Sequence, residues 1–416
     1  MLYTRRDIGR VVLAAGAASK LVYAAKPNSK IKGVQIGAIT YSYRSMPDQS
    51  AEATLKYCVD SGISAIELMG GPLNDYIRKQ GKWDSSPAAA AAGQGARGGR
   101  AGGAAGPGGG RGPAQTYPPV AGMQTGYGNN QPSGQWNGVS CPAGRGGGPG
   151  GAGGPGGQAM AARGAGAPGG QAAGAAPGGA AGPGGGGGGG GRGRGEQTPE
   201  QRAATDAERK WRLALPMSIF KDFRKMYNDA GVTIYAVKDM RTTTDDDLDY
   251  TFKVAQILGA THVTMELMTN DSDGPAMKRL GDWAMKYKMF VAYHSHGQGS
   301  MTAFDVCFAA SPGNRSNVDL GHFTSTQGGK LALDFLNKFH DKIASFHIKD
   351  RTGPTHCELN LPWGTGETPI KEILQTVSKN KWTMPASIEQ EYAIPEGSDA
   401  VKEVAKCLAF CRQALA

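Results

Sequence analysis

The chain has 416 residues and a formal net charge of +10, and both figures average over unlike segments. Residues 1–30 carry six Lys/Arg against one Asp, and residues 86–200 carry seven Arg against two Glu, so the remaining 271 residues are electrically neutral. A nucleic-acid enzyme carries its basic footprint on the folded part, so nucleic acid is not an expected partner.

In chain order, the first segment pairs Arg5 and Arg6 after Thr4, followed by a weakly apolar run over 11–18 and the small-residue stretch Tyr23-Ala24-Ala25. It resembles a twin-arginine signal, which would export the protein already folded to the periplasm. Asp7 and Lys20 depart from that pattern; the alternative is a basic N-terminus on a cytoplasmic enzyme. The apolar run is too short to span a bilayer, so no transmembrane segment is expected.

Short apolar, β-branched runs then alternate with longer amphipathic stretches. The candidate strands are 33–42, 64–70, 233–240, 262–268, 290–296, 316–322, 343–350 and 386–392. Several intervening helical segments end in Gly, a common C-cap. Eight βα units predict a closed (β/α)8 barrel of the TIM type, formed by 31–85 and 201–416, whose 271 residues match the roughly 250 typical of that fold. No GxGxxG opens a helix after the first strand, so a dinucleotide site has no support.

Residues 86–200 are almost wholly Gly, Ala, Pro and Gln, too poor in apolar surface to offset the entropy of ordering a backbone. They read as a disordered insertion between the second strand and the helix preceding the third, leaving from the barrel's C-terminal face. A solvating spacer is the plain reading; Tyr117, Tyr127 and Trp136 leave room for contact with a ligand. The six cysteines suggest no framework and no metal spacing: Cys58, Cys141, Cys307 and Cys357 are scattered, while Cys407 and Cys411 lie four apart on one helix face.

Ionisable residues gather toward the C-terminal ends of the candidate strands: Glu67, Glu266, His294, His296, Asp319, His322, His347, Lys349, Asp350, Glu389 and Glu391. Residues two apart on a strand share a face, so His294 and His296, and likewise Glu389 and Glu391, are expected to look into the mouth. Taken singly, His347 reads equally well as a core histidine, and Glu67 as a salt-bridge partner. Jointly, buried carboxylates and imidazoles at one barrel end are most simply reconciled by a divalent cation, Mn²⁺, Mg²⁺, Co²⁺ or Zn²⁺.

The ordered set YHSH, VDLGHF, FHIKDR, WGTGE and SIEQEY resembles the xylose-isomerase-like sugar phosphate isomerase/epimerase superfamily. The resemblance implies a metal held by Asp319, His347 and Glu389. The remaining ligand, a Glu on the fifth strand of many relatives, falls here on His294 and His296, so Glu266 is expected to substitute, with His296 contributing. His322 would act on substrate or support the ligands, Lys349 or Arg351 would hold a sugar oxygen or an anionic group, and Glu67, His294, Arg351 and Trp363 would line the substrate. Glu266, Glu389, His322 and Lys349 are the candidate catalytic residues.

The implied chemistry is proton abstraction beside a carbonyl through an enediolate, on a small-molecule sugar or keto-sugar. Reprotonation epimerises or isomerises; loss of a β-substituent dehydrates or cleaves a 3-keto-glycoside. An exported enzyme would rarely meet sugar phosphates, which favours an unphosphorylated substrate. A related barrel that cleaves abasic DNA needs a basic face this chain lacks, and a carbohydrate-binding barrel without catalysis is the non-enzymatic alternative. The sequence allows a homo-oligomer without indicating one.

Overall fold

The computed structural model describes residues 26–83, 135–141, 198–238 and 240–416. The leader through residue 25, and the expectations for Tyr117, Tyr127 and most of 86–200, lie outside the described residues.

All eight expected strands form. They are β1 Val34–Ile39, β2 Ala65–Leu68, β3 Thr233–Lys238, β4 His262–Glu266, β5 Phe290–His294, β6 Asn314–Asp319, β7 Ile343–Ile348 and β8 Ala386–Ile388. Each pairs in parallel with its neighbours in sequence. The sheet closes where β8 meets β1, with Ser387 opposite Gly37. The strands stop short of the sequence expectation at their C-terminal ends, so Glu67, Glu266, His294, Asp319 and His347 occupy the last or next-to-last strand positions, and His296, Lys349, Glu389 and Glu391 sit just beyond the sheet. That is the barrel's C-terminal face, where loops carry chemistry.

The outer layer comprises α1 Ala51–Asp60, α2 Gly70–Gln80, α3 Pro199–Leu213, α4 Ser218–Asp229, α5 Asp245–Leu258, α6 Gly274–Lys286, α7 Asp305–Ala310, α8 Leu320–Gln327, α9 Gly329–Phe339, α10 Ile370–Lys379 and α11 Ala400–Ala414. In α10, Ile370, Ile373, Leu374 and Val377 follow helical spacing and all are buried. In α5, Thr244 and Asp247 form a capping box, and Gly259 closes the helix at φ 90°. Among the described residues no helix is long and apolar enough to cross a membrane.

Strand alternation divides the core in two. Phe346 and Ile348 of β7 face the helices with Val318 and Ile388, whereas Ser345 and His347 face the axis. The axial space is polar and bonded across non-adjacent strands. His262 Nε2 on β4 meets Ser345 Oγ on β7 at 2.9 Å, and the Tyr235 hydroxyl on β3 donates to Ser387 Oγ on β8 at 2.8 Å. Tyr235 fits there because position 37 is glycine: a Cβ on Gly37 would lie 2.6 Å from the tyrosine ring.

Two features fix the loops near the mouth. Asp350 accepts backbone N–H groups from Gly364, Thr365, Gly366 and Thr368 at 2.8 to 3.2 Å, so the WGTGE turn is a cradle for that carboxylate. The second corrects the sequence reading: Cys141 and Cys357 form a disulfide across 216 residues. The described stretch 135–141 is thereby pinned to the loop after β7, with Trp136 against His356 at 5.6 Å between ring centres. The chain enters the insertion from the β2 side, where Trp83 packs on Trp211 and Lys79 pairs with Glu52 in the first turn of α1. It therefore has fixed points on two sides of the mouth. Cys58, Cys307, Cys407 and Cys411 are buried thiols, as simple packing requires.

Alkylation of the denatured, unreduced protein should label four cysteines by mass, and six only after reduction. Six labels without reduction would contradict the Cys141–Cys357 bond.

Candidate functional site

At the C-terminal end of the axis the polar network becomes ionic, with His347 at its centre. Its Nε2 lies 2.8 Å from Glu67 Oε2 and its Nδ1 lies 2.8 Å from Glu389 Oε2. Nδ1 also faces Asp319 Oδ2 at 3.9 Å. Burial alone would lower the imidazole's pKa, but the two carboxylates raise it to about 10. In turn, burial pushes Glu67 up while the His347 charge pulls it down to about 2.

His294 is turned by a different device. Its Nδ1 lies 2.8 Å from Asn317 Oδ1 and 3.2 Å from the Asn317 carbonyl. Both partners only accept, so Nδ1 carries the proton and Nε2 presents a lone pair. The Asn317 amide is oriented by donating from Nδ2 to Glu67 Oε2 at 3.2 Å and to Ser345 Oγ at 2.6 Å. Burial and the nearby Lys238 charge hold His294 well below its ordinary pKa, so it is neutral. A neutral imidazole with its other nitrogen hydrogen-bonded is what metal ligation requires.

Asp319 ends β6 and caps α8, accepting the His322 backbone N–H at 2.7 Å through Oδ1. Its Oδ2 is buried and lacks a hydrogen-bond partner among the described residues, though Lys349 Nζ forms an ion pair with it at 2.9 Å. Lys349 also reaches Glu389 Oε2 at 2.8 Å and Glu391 Oε2 at 2.6 Å. Glu266 lies on the mouth's open side, paired with Lys238 at 2.8 Å and with His296 at 3.2 Å. Burial raises its pKa, and His296 and Lys238 outweigh that, so it is ionised.

His322 is fully buried beside Arg351, whose Nη1 faces its Nδ1, while Arg351 Nη2 donates to the Glu358 carbonyl. A guanidinium has only hydrogens to offer, so His322 Nδ1 accepts and the proton sits on Nε2. That Nε2 has no hydrogen-bond partner among the described residues. Burial and the Lys349 and Arg351 charges keep the ring neutral.

The structure therefore gathers Asp319, His347 and Glu389 as expected and adds His294. Each of these four buried residues offers a ligand atom within 4.8 Å of the others. Two imidazoles and two carboxylates fit a first-row divalent metal, and the Nε2 lone pair of His294 and Asp319 Oδ2, which accepts no hydrogen bond and meets Lys349 only as an ion pair, are the atoms such an ion would satisfy. Glu266 and His296, expected as ligands, pair with each other outside this group. Glu67, expected to touch substrate, is fully buried behind His347. Arg351 is likewise buried and serves His322 rather than opening to the pocket. Trp363 packs its ring on Phe410 of α11, 6.0 Å between centres. Asn317 and Lys238 were missed: a strand asparagine and a strand-end lysine carry no chemical signal until the opposite strand is known.

No protein-family model matches the chain, and no curated protein matches it. Among solved structures it is similar to a xylose isomerase domain protein from Planctomyces limnophilus, at 15% identity and TM-score 0.39, over 48% of this chain and 82% of that one. It is also similar to a sugar phosphate isomerase/epimerase from Parabacteroides distasonis, at 16% identity and TM-score 0.37, over 46% and 76%. A third is the probable 3-DHS dehydratase AsbF from Bacillus anthracis, at 10% identity and TM-score 0.45, over 90% and 98%. The barrel itself rests on the strand pairings, not on these likenesses.

Below the ligand group, burial lowers His262 to about 4. The unfolded chain takes up a proton near pH 6.5, which the folded chain refuses until about pH 4, so stability falls as pH drops through that window, by up to about 3 kcal/mol. Urea unfolding of wild type between pH 7 and 4.5 should lose stability more steeply than His262→Gln, which keeps polar contacts without the titration. Equal slopes would contradict this.

Proposed function

We propose that the protein is a divalent-metal-dependent sugar isomerase or epimerase that moves a proton beside a carbonyl. The observation that carries the reading is the His294, Asp319, His347 and Glu389 group at the mouth of a closed barrel, with ligand atoms mutually within 4.8 Å. The motif order from YHSH to SIEQEY supports the same superfamily reading.

When bound, a divalent ion would stabilise the negative charge that develops on neighbouring sugar oxygens. His294 and His347 would hold it through nitrogens whose opposite sides are tied to Asn317 and Glu67, with Asp319 and Glu389 completing the set. His322 offers its Nε2–H to a substrate oxygen, its tautomer fixed by Arg351. Glu266 ends β4 and Glu389 directly follows β8, strands opposite each other in the barrel, so a sugar between them meets a carboxylate on each face. Glu266, kept ionised by Lys238 and His296, is the group proposed to take the carbon-bound proton and pass it to solvent, while a water on the Glu389 side would return a proton to the opposite face and give epimerisation.

Lys238, Lys349 and Arg351 are each engaged by protein carboxylates or a carbonyl, which favours an uncharged sugar or keto-sugar over a sugar phosphate. The Cys141–Cys357 disulfide supports an oxidising compartment, in keeping with periplasmic export by the Arg5–Arg6 leader. β-Elimination, as in a 3-keto-glycoside lyase or a sugar dehydratase, shares the first step. One observation favours a non-catalytic carbohydrate-binding barrel: His347 and Lys349 already balance much of the buried negative charge.

Incubating the Mn²⁺-treated protein in D₂O with a panel of aldoses, ketoses and 3-keto-glycosides should give deuterium at a carbon beside the carbonyl, read by NMR. Glu266→Gln should slow exchange by about a hundredfold or more. An eliminated product would assign the lyase branch. No exchange on any substrate by a metal-loaded protein would contradict catalysis and leave the binding reading.

A further inference from the structure

The oxygens that complete the proposed metal group already hold a cation. Lys349 Nζ lies 2.9 Å from Asp319 Oδ2 and 2.8 Å from Glu389 Oε2. Its third carboxylate, Glu391 Oε2 at 2.6 Å, is outside the four-residue group. The ammonium is buried with all three. Its stem runs past Gly321 in the first turn of α8, where any side chain would collide with the Lys349 methylenes. The fold thus leaves a channel for this one side chain.

A divalent ion held by Asp319 Oδ2 and Glu389 Oε2 would sit within a few ångströms of the Lys349 charge. Two cations that close in a poorly hydrated site repel strongly. One must leave, and only Lys349 is on a flexible arm. Of the three carboxylates, Glu391 is the one that accepts a hydrogen bond from Lys349, while Asp319 and Glu389 meet it as ion pairs. Glu391 offers a place to retreat without exposing the charge.

We infer that Lys349 is a built-in competitor for the metal site, bridging Asp319 and Glu389 in the metal-free protein and withdrawing onto Glu391 when a divalent ion binds. Lys349 is thus a gate on metal loading, and Glu391 its parking partner. The inference rests on the metal-centre reading above.

The test is a double-mutant cycle on Mn²⁺ affinity by titration calorimetry of the full chain, with Zn²⁺ as a second probe. Lys349→Met removes the competitor and should tighten binding about tenfold or more, while Glu391→Gln should weaken it by a similar factor. In the Lys349→Met background, Glu391→Gln should change affinity less than about twofold, because Glu391 then has no lysine to receive. A simple field effect of the Glu391 charge would instead give the same weakening in both backgrounds and overturn the inference. So would an unchanged or weaker affinity in Lys349→Met. Should that variant not fold, Lys349→Gln serves, with the same expected tightening. Binding in wild type without these shifts sinks this inference alone. Binding only in the Lys349 variant supports it, and no binding in any protein removes the metal-centre reading along with it.

Discussion

Buried negative charge is the constraint around which this barrel is organised. Glu67, Asp319, Glu389 and Glu391 are all buried at one end of the axis, with Glu266 at their edge. An uncompensated buried carboxylate costs several kcal/mol, so each must meet a proton, an ammonium, an imidazolium or a metal. His347 answers two of them at once, between Glu67 and Glu389. The polar axis follows from the same need. Asn317 and Ser345 continue the network downward and, in doing so, set the tautomer of His294. Removing Glu67 would thus disturb two candidate ligands at once, although it touches no solvent.

The walls of the mouth are held by a second set of constraints. Arg351 ties His322 to the Glu358 carbonyl, and Glu358 sits in a turn where both it and Cys357 have positive φ, 48° and 68°. Side-chain-bearing residues rarely adopt that conformation in succession. The turn is over-determined by the Arg351 bond, by the disulfide from Cys357 and by the Asp350 cradle next to it. Arg351, held in this way, fixes the tautomer and direction of the His322 ring.

Much of this was legible in the chain. Eight apolar runs at barrel spacing marked the strands, and Asp319, His347 and Glu389 stood in order at their ends. The differences have physical causes. Period-two alternation carried the fifth strand through His296, but the sheet stops at His294. His294 therefore keeps its inward aim, whereas His296 turns aside to Glu266. Trp363 was expected to line the substrate; in the fold the turn that carries it holds Asp350, and its ring packs on Phe410. Asn317 becomes readable only when Glu67, 250 residues away in sequence, faces it across the axis. The Cys141–Cys357 pair was hidden for a similar reason: one cysteine lies inside a glycine-rich tract that offers no periodicity to place it.

The most direct test of the central claim is anomalous diffraction from crystals of the protein soaked in Mn²⁺. The account predicts one peak about 2.2 Å from an atom of each of His294, Asp319, His347 and Glu389. A peak at Glu266 and His296 instead, or none at saturating Mn²⁺, would contradict it. The knot of His347, Lys349 and their carboxylates would then be a closed structural element, not a metal centre.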